Sequence, residues 1–370
     1  MTVVTRRRNP LEEQLADVAQ SIEQLGKSRL VAIAVVAVLL FLIYYKISSQ
    51  SSPAEPSRRR VSFIEPVRDF EWQMQEPRQL RPIKSTYYIT MGLQNDTPDN
   101  LITMDRDYLS RVNLRRATLA KYPRTAHGVT PQGVPAVKEL YSYLMSRYLP
   151  SRYPSIFHVR GGQVENSATE SLFPICAPED PLECLRNLAV SVEEDMFLLQ
   201  ATEKGHQCVA FVCCFPSGFN PSTKMGQLLS GIHGDVPSYE KIGPSMERFF
   251  SRIEVGQNVK RTNWSVQTHA ELFNCDANTE LQEPKDSASV DPSKSYFRVE
   301  LQTLSRLPNT QAILFSFKTY MYPMQQIKDE GIGPDLADAI EGLQRGNAVG
   351  MWKYKKATIW AEPICKFLRS

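Results

Sequence analysis

The stretch QAILFSFKTYMY, residues 311–322, decides the fold class. Ile313, Phe315, Phe317 and Thr319 alternate with their neighbours, and a period of two marks a strand with one buried face. Three further runs of β-branched and aromatic residues accompany it: Cys208 to Phe215, Thr262 to Phe273 and Tyr296 to Thr303. Upstream the period changes. Tyr108, Leu109, Val112, Leu114 and Leu119, within Asp105 to Ala120, fall on or near one side of a helix. So do Val137, Leu140, Tyr141, Leu144 and Tyr148, within Val134 to Leu149. Helices followed by strands predict an α+β domain in which an antiparallel sheet carries a helical layer. The polar stretch Asp276 to Ser295 has no hydrophobic period and predicts a mobile surface loop between two strands.

The chain has 370 residues, 42% of them hydrophobic and 22% charged, which is enough for a full core. Its formal charge of +3 is too small to imply nucleic acid. The basic clusters Arg6 to Arg8 and Arg58 to Arg60 instead bracket LVAIAVVAVLLFLIYY, residues 30–45, which is apolar or aromatic throughout. As a helix this run spans roughly 24 Å, short of the hydrocarbon core unless the flanking Arg29 and Lys46 snorkel. Residues 29–46 therefore predict a single N-terminal transmembrane helix, and the lack of a small-residue cleavage site sets a signal peptide aside.

Residues 1–28 predict an amphipathic helix capped by Asn9 and Pro10 and ended by Gly26. Its stripe of Leu11, Leu15, Val18, Ile22 and Leu25 suits a membrane surface or a partner helix. Residues 47–60, rich in Ser, Pro and Arg, predict a flexible stalk, and residues 61–370 a single domain. The seven cysteines show no metal or redox spacing, and Cys208, Cys213 and Cys214 sit in an apolar run as reduced core residues do. That places the domain on the cytosolic side of a membrane. The sequon Asn263-Trp264-Ser265 falls in a predicted strand where a glycan has no room, in agreement.

No G-x-G-x-x-G opens a helix, and Walker loop, H-E-x-x-H, G-x-S-x-G elbow and iron–sulfur cysteine runs are all missing. Arg160-Gly161-Gly162 marks only a turn. What remains is a series of blocks: VEEDMFLL (192–199), FPSGFNPSTKMGQLLSGIHGDVP (215–237), KRTNWSV (260–266) and FRVELQTLSRLP (297–308). LITMDRDYLSRVNLRR (101–116) and ELYSYLMSRYLPSRYPSIF (139–157) precede them. In this order the blocks resemble the haem-dependent oxidative N-demethylase family, whose bacterial members form the haem subunit of a dimethylamine monooxygenase. The resemblance runs from about Tyr87 to Pro323.

It implies a PAS-like α+β fold, a b-type haem whose iron takes an axial histidine, dioxygen and a small amine as substrates, and an electron-donating reductase as partner. His233 stands in the block that carries the family's histidine, and Gly231 and Gly234 on either side would leave room for a macrocycle. Asp235 is close enough in sequence to orient the ring; a loop histidine held by hydrogen bonds is the alternative.

Glu300, on a predicted strand among Phe297, Val299, Leu301 and Leu304, needs Arg298, Arg306 or a polar pocket. In an oxygen-activating site it could deliver a proton or hold an amine cation; a structural ion pair is the competing role. Lys224, Arg261 and Arg298 are the cations available to the two propionates, Arg261 foremost because it opens its strand. The family usually has arginine where this chain has Leu301, so the pocket's charge balance is expected to differ. Glu193, Glu194 and Asp195 form an acidic run expected at a helix start. The sequence thus predicts a membrane-anchored haem monooxygenase, with a non-catalytic PAS-like haem or ligand sensor as the alternative.

Overall fold

The structure, a computed structural model, describes residues 16, 17, 19–21, 23, 24, 64–281 and 283–370. The chain divides into two compact units, Met1–Arg60 and Val61–Ser370. In the first unit the described residues are helical. The apolar run 30–45, the stalk, and the caps and stripe of the amphipathic helix lie outside the described residues. Among those described, no helix is long and apolar enough to cross a membrane.

The second unit is α+β. Its strands are β1 (Gln94–Asp96), β2 (His127–Val129), β3 (Phe157–Arg160), β4 (Gln163–Asn166), β5 (Ser171–Pro174), β6 (Asp195–Thr202), β7 (Gly205–Val212), β8 (Asn258–Gln267), β9 (Tyr296–Arg306) and β10 (Ile313–Pro323). Seven form one sheet in the order β1-β8-β9-β10-β6-β7-β2, and β3, β4 and β5 form a small second sheet. All pairings are antiparallel. Gly161 and Gly162, both at positive φ, make the turn between β3 and β4, as their sequence suggests.

β10 pairs with β9 from Ile313 opposite Arg306 to Pro323 opposite Tyr296, so the deciding stretch is a central strand. Its alternation predicts one buried face, yet both faces are buried. Ile313 and Phe317 pack in one apolar cluster and Leu314 in another, on the side of the helices Tyr108–Lys121 and Val134–Tyr143. The polar residues between them are internal too. Ser316 shares a 2.6 Å hydrogen bond with Thr303, and the Lys318 ammonium donates to Asp105 at 2.8 Å and Glu193 at 2.7 Å. The period therefore records polarity, and the hydrogen bonds make that polarity tolerable inside.

Two other expectations change. The helix predicted over 134–149 is α-helical to Tyr143, passes through a π-helical stretch, Leu144–Tyr148, and resumes to Arg152. The 276–295 segment does lie between two strands, β8 and β9, but it is docked. A capping box between Asp286 and Ser289 closes one short turn, and Val290 is buried among the C-terminal helices. All seven cysteines are free, and six are buried.

Candidate functional site

A cavity of about 430 Å³ lies against one face of the large sheet. Every second residue of the strands points into it: Phe197 and Leu199 from β6, Arg261 and Asn263 from β8, Glu300, Gln302 and Leu304 from β9, Phe315 and Phe317 from β10. The register aligns these in rows, Asn263 beside Glu300, Arg261 beside Gln302 beside Phe317, and Leu304 beside Phe315 beside Phe197. Polar groups thus gather toward β8 and aromatic ones toward β6. The segment between β7 and β8 closes the cavity with Lys224, Leu229, Ile232, His233, Tyr239 and Phe250, and the C-terminal segment closes it with Tyr354, Lys355 and Trp360.

His233 follows a one-turn helix, Leu229–Ile232, that is pinned by the buried Leu229. The Leu229 carbonyl lies 2.9 Å from Nδ1 of the imidazole. A carbonyl oxygen only accepts, so in the neutral ring Nδ1 carries the proton and Nε2 is left with a lone pair. Tyr239 stacks on the ring at 4.9 Å between centroids with 6° between planes, which restricts its rotation. Burial holds the imidazole pKa below its usual 6.5; the Leu229 carbonyl opposes this, and Lys224 and Arg261 add to it. A neutral, oriented imidazole with a free Nε2 is the form that binds a metal.

Asp235 has no part in this, because it is exposed and the Leu229 carbonyl occupies the nitrogen it was expected to orient. Nor do the flanking glycines border the cavity. Both are exposed; a Cβ on Gly231 would meet the Gln227 side chain, and one on Gly234 would make ordinary contacts. The glycine that lines the cavity is Gly218, at φ +74° with open space where a side chain would be.

Lys224 and Arg261 also reach the cavity. The Lys224 ammonium donates to the Ile232 carbonyl at 3.0 Å, beside His233. Arg261 has its Nε buried without a hydrogen-bond partner and makes no ion pair among the described residues. Burial lowers its pKa, with Tyr87 and Glu300 opposing. A guanidinium left in this state is suited to an incoming anion. Arg298 is placed elsewhere. It is 1% exposed and does not line the cavity; its guanidinium donates to Gln267, itself a lining residue, at 2.9 Å and to the Phe215 carbonyl at 2.6 Å.

Glu300 sits on the cavity wall, and neither Arg298 nor Arg306 pairs with it. Its Oε2 accepts from Gln302 at 2.9 Å and from Asn263 at 3.5 Å, while Oε1 has no protein partner among the described residues. Arg306 donates to the carbonyls of Ile253 and Gln311. Leu301, where the charge balance was expected to change, lies in the core under the C-terminal helices and does not line the cavity. The acidic run 193–195 opens β6 instead of a helix and is fully buried, with Asp195 paired to Arg115 and Glu193 to Lys318.

Two cavity groups, Lys355 and the core cysteine Cys208, were not among the expected site residues. Lys355 donates to the Trp264 carbonyl and, at 3.5 Å, to Asn263 Oδ1. Burial pushes its pKa down to about 8, with Glu300 opposing and Arg261 reinforcing. Cys208 is the lining cysteine, and burial pushes its thiol up to about 12, so it does not offer a thiolate. No sequence pattern marks either residue, since each is brought to the site by tertiary packing.

Residues 92–365 match the haem-dependent oxidative N-demethylase, alpha subunit-like family. The chain belongs to this family. The match covers every strand, from Gln94 to Pro323, and extends past them to take in Lys355 and most of the last helix, Ala357–Arg369. The cavity fits the group the family name implies: a neutral imidazole with a free Nε2, an unpartnered arginine Nε for an anionic substituent, and apolar walls between them.

Proposed function

We propose that the chain is a membrane-anchored b-type haem protein that removes an N-methyl group from a small amine, using dioxygen and electrons from a partner reductase. The observation that carries this is the fixed His233 tautomer, which leaves Nε2 unprotonated at the wall of a 430 Å³ cavity. When bound, haem would supply the redox chemistry of oxygen activation. The chain's residues hold and shield the reaction. His233 would ligate iron, Arg261 and Lys224 would take the propionates, and Leu199, Leu304, Phe315 and Phe317 exclude water. Glu300 would hold the ammonium of the substrate or move a proton at its unpartnered Oε1.

The PAS-like reading of the sheet belongs to the same proposal. Supporting it, the five strands β6 to β10 lie in the order β7-β6-β10-β9-β8, with the last in sequence at the centre beside the first, and the His233 segment inserted between the second and third.

The deciding experiment is an absorption spectrum of the purified full-length chain with haem supplied. A Soret band is expected, and a chain that binds no haem sinks the reading. Formaldehyde released from an N-methylated amine such as dimethylamine then separates an enzyme from a haem sensor. Glu300→Gln is expected to lower turnover about 100-fold with haem content unchanged. Equal loss of haem and turnover would instead assign Glu300 a structural role.

The sequence has no dinucleotide fingerprint and no cysteine spacing for an iron–sulfur cluster, so a reductase must dock. Confinement to one membrane by residues 30–45, with the stalk 47–60 as a tether, would raise its effective concentration. NADPH added to the purified chain alone is expected to leave the iron oxidised. Sustained NADPH oxidation coupled to demethylation would overturn the need for a partner.

A further inference from the structure

The polar corner of the cavity contains more charge than a simple amine can use. Lys355 and Glu300 face each other through one side chain: Asn263 Oδ1 accepts from the Lys355 ammonium, and Asn263 Nδ2 donates to Glu300 Oε2, each at 3.5 Å. With standard amide dimensions, the two charges are at most about 9 Å apart. Each has capacity to spare. Lys355 directs its ammonium at two acceptors, Asn263 Oδ1 and the Trp264 carbonyl, and so keeps a third N–H, while Glu300 Oε1 has no protein partner among the described residues.

We propose that Lys355, Asn263 and Glu300 form a binding site for a zwitterion, and that the substrate class is therefore N-methylated amino acids, with the ammonium on Glu300 and the carboxylate on Lys355. This rests on the demethylase reading for the word substrate, though the site itself is independent of haem. An α-amino acid has its nitrogen and carboxylate oxygens about 3 Å apart. With a charge-assisted contact of about 2.8 Å at either end, it can bridge two charges as far apart as that upper limit. The charge count favours the same ligand. Of the two carboxylates that line the cavity, Glu283 is paired with Lys356, which leaves Glu300 against Lys355 and Arg261, and burial together with Arg261 depresses the lysine pKa. A ligand bearing only a cation satisfies Glu300 and leaves Lys355 uncompensated in a largely desolvated wall, whereas a zwitterion satisfies both without adding net charge.

The test uses the full-length chain, purified with haem, and calorimetric titration with N,N-dimethylglycine, dimethylammonium and acetate. N,N-dimethylglycine is expected to bind about 10-fold more tightly than either half-ligand, as a second charge-assisted contact warrants. Lys355→Met should bring N,N-dimethylglycine and dimethylammonium within about threefold of each other, and Lys355→Arg should keep most of the gap. Asn263→Asp, which sets a carboxylate beside Lys355, should weaken N,N-dimethylglycine more than dimethylammonium. If Lys355→Met does not fold, the wild-type ranking and the Asn263→Asp result decide the matter. Equal affinities in the wild type overturn the proposal, as does a Lys355→Met protein that keeps the full preference. Loss of the Soret band in Lys355→Met would overturn it too, since the lysine would then hold a propionate. A wild-type chain without a Soret band that still prefers N,N-dimethylglycine in a Lys355-dependent way would sink the haem reading and leave this site standing.

Discussion

His233→Ala is expected to abolish the Soret band of the haem-loaded chain while the apoprotein keeps its cooperative unfolding. The fold should survive because the ring is only half-buried and sits after a one-turn helix whose anchor is Leu229, not the imidazole. What disappears is the lone pair on Nε2, and with it the bond that the proposed ligation would make to iron. The other histidines set the controls. His127 is buried on β2, and His158 lies on β3 of the small sheet. His206 is paired to Glu247 at 2.6 Å. His269 is the stringent control, since it also lines the cavity; burial lowers its pKa as well, so it too is neutral. Its neighbours differ, because Gln267 Nε2 donates to its carbonyl at 2.8 Å and lies 3.3 Å from Nδ1. Replacing His269 should leave the Soret band in place. A His233→Ala protein with a wild-type spectrum, or a His269→Ala protein without one, would move the ligand to the other end of the cavity.

How much of this was legible in the sequence depends on how local the signal was. Alternation in 311–322 is a nearest-neighbour property, and it placed β10 correctly within a residue or two of its ends. The order of blocks singled out His233, which lies on the cavity wall, but the reason offered for its glycines was not right, because neither borders the cavity. The acidic run at 193–195 was misread for a different reason. Its partners Arg115 and Lys318 are 80 and 125 residues away in sequence, so nothing nearby shows that the charges are matched. Unmatched, such a run belongs at a surface or a helix start. Lys355 was invisible on the same grounds, since it acquires its setting only when the segment before the last helix packs over β8.

Asp195→Asn is expected to destabilise the chain by about 3–5 kcal/mol, the range found when one partner of a buried ion pair is removed. Arg115 and Asp195 are 0% and 1% exposed, so neither charge can fall back on water. The carboxylate is also a junction. Oδ1 accepts from the Cys214 N–H at 2.7 Å and Oδ2 from the Phe215 N–H at 2.8 Å, while Arg115 donates to the carbonyls of Ala189, Glu193 and Glu194. Helix Tyr108–Lys121, the start of β6 and the segment that follows β7 are thereby tied at one point. Asparagine is nearly isosteric, but its NH₂ must face either the guanidinium or the Phe215 N–H, donor against donor, and the arginine charge is left uncompensated. The loss is a large share of the 5–15 kcal/mol typical of a folded domain, and should appear as a lower urea midpoint at unchanged slope. Arg115→Met combined with Asp195→Leu should be no less damaging, because it strips these partners from the Cys214 and Phe215 N–H groups and from the carbonyls of Ala189, Glu193 and Glu194. Removing the exposed Lys121–Glu280 pair should leave the midpoint where it is. Since Asp195 does not line the cavity, the fraction of Asp195→Asn protein that folds should still bind haem with a wild-type Soret maximum. A shifted maximum would mean that the junction sets the geometry of the haem site as well as the stability of the sheet.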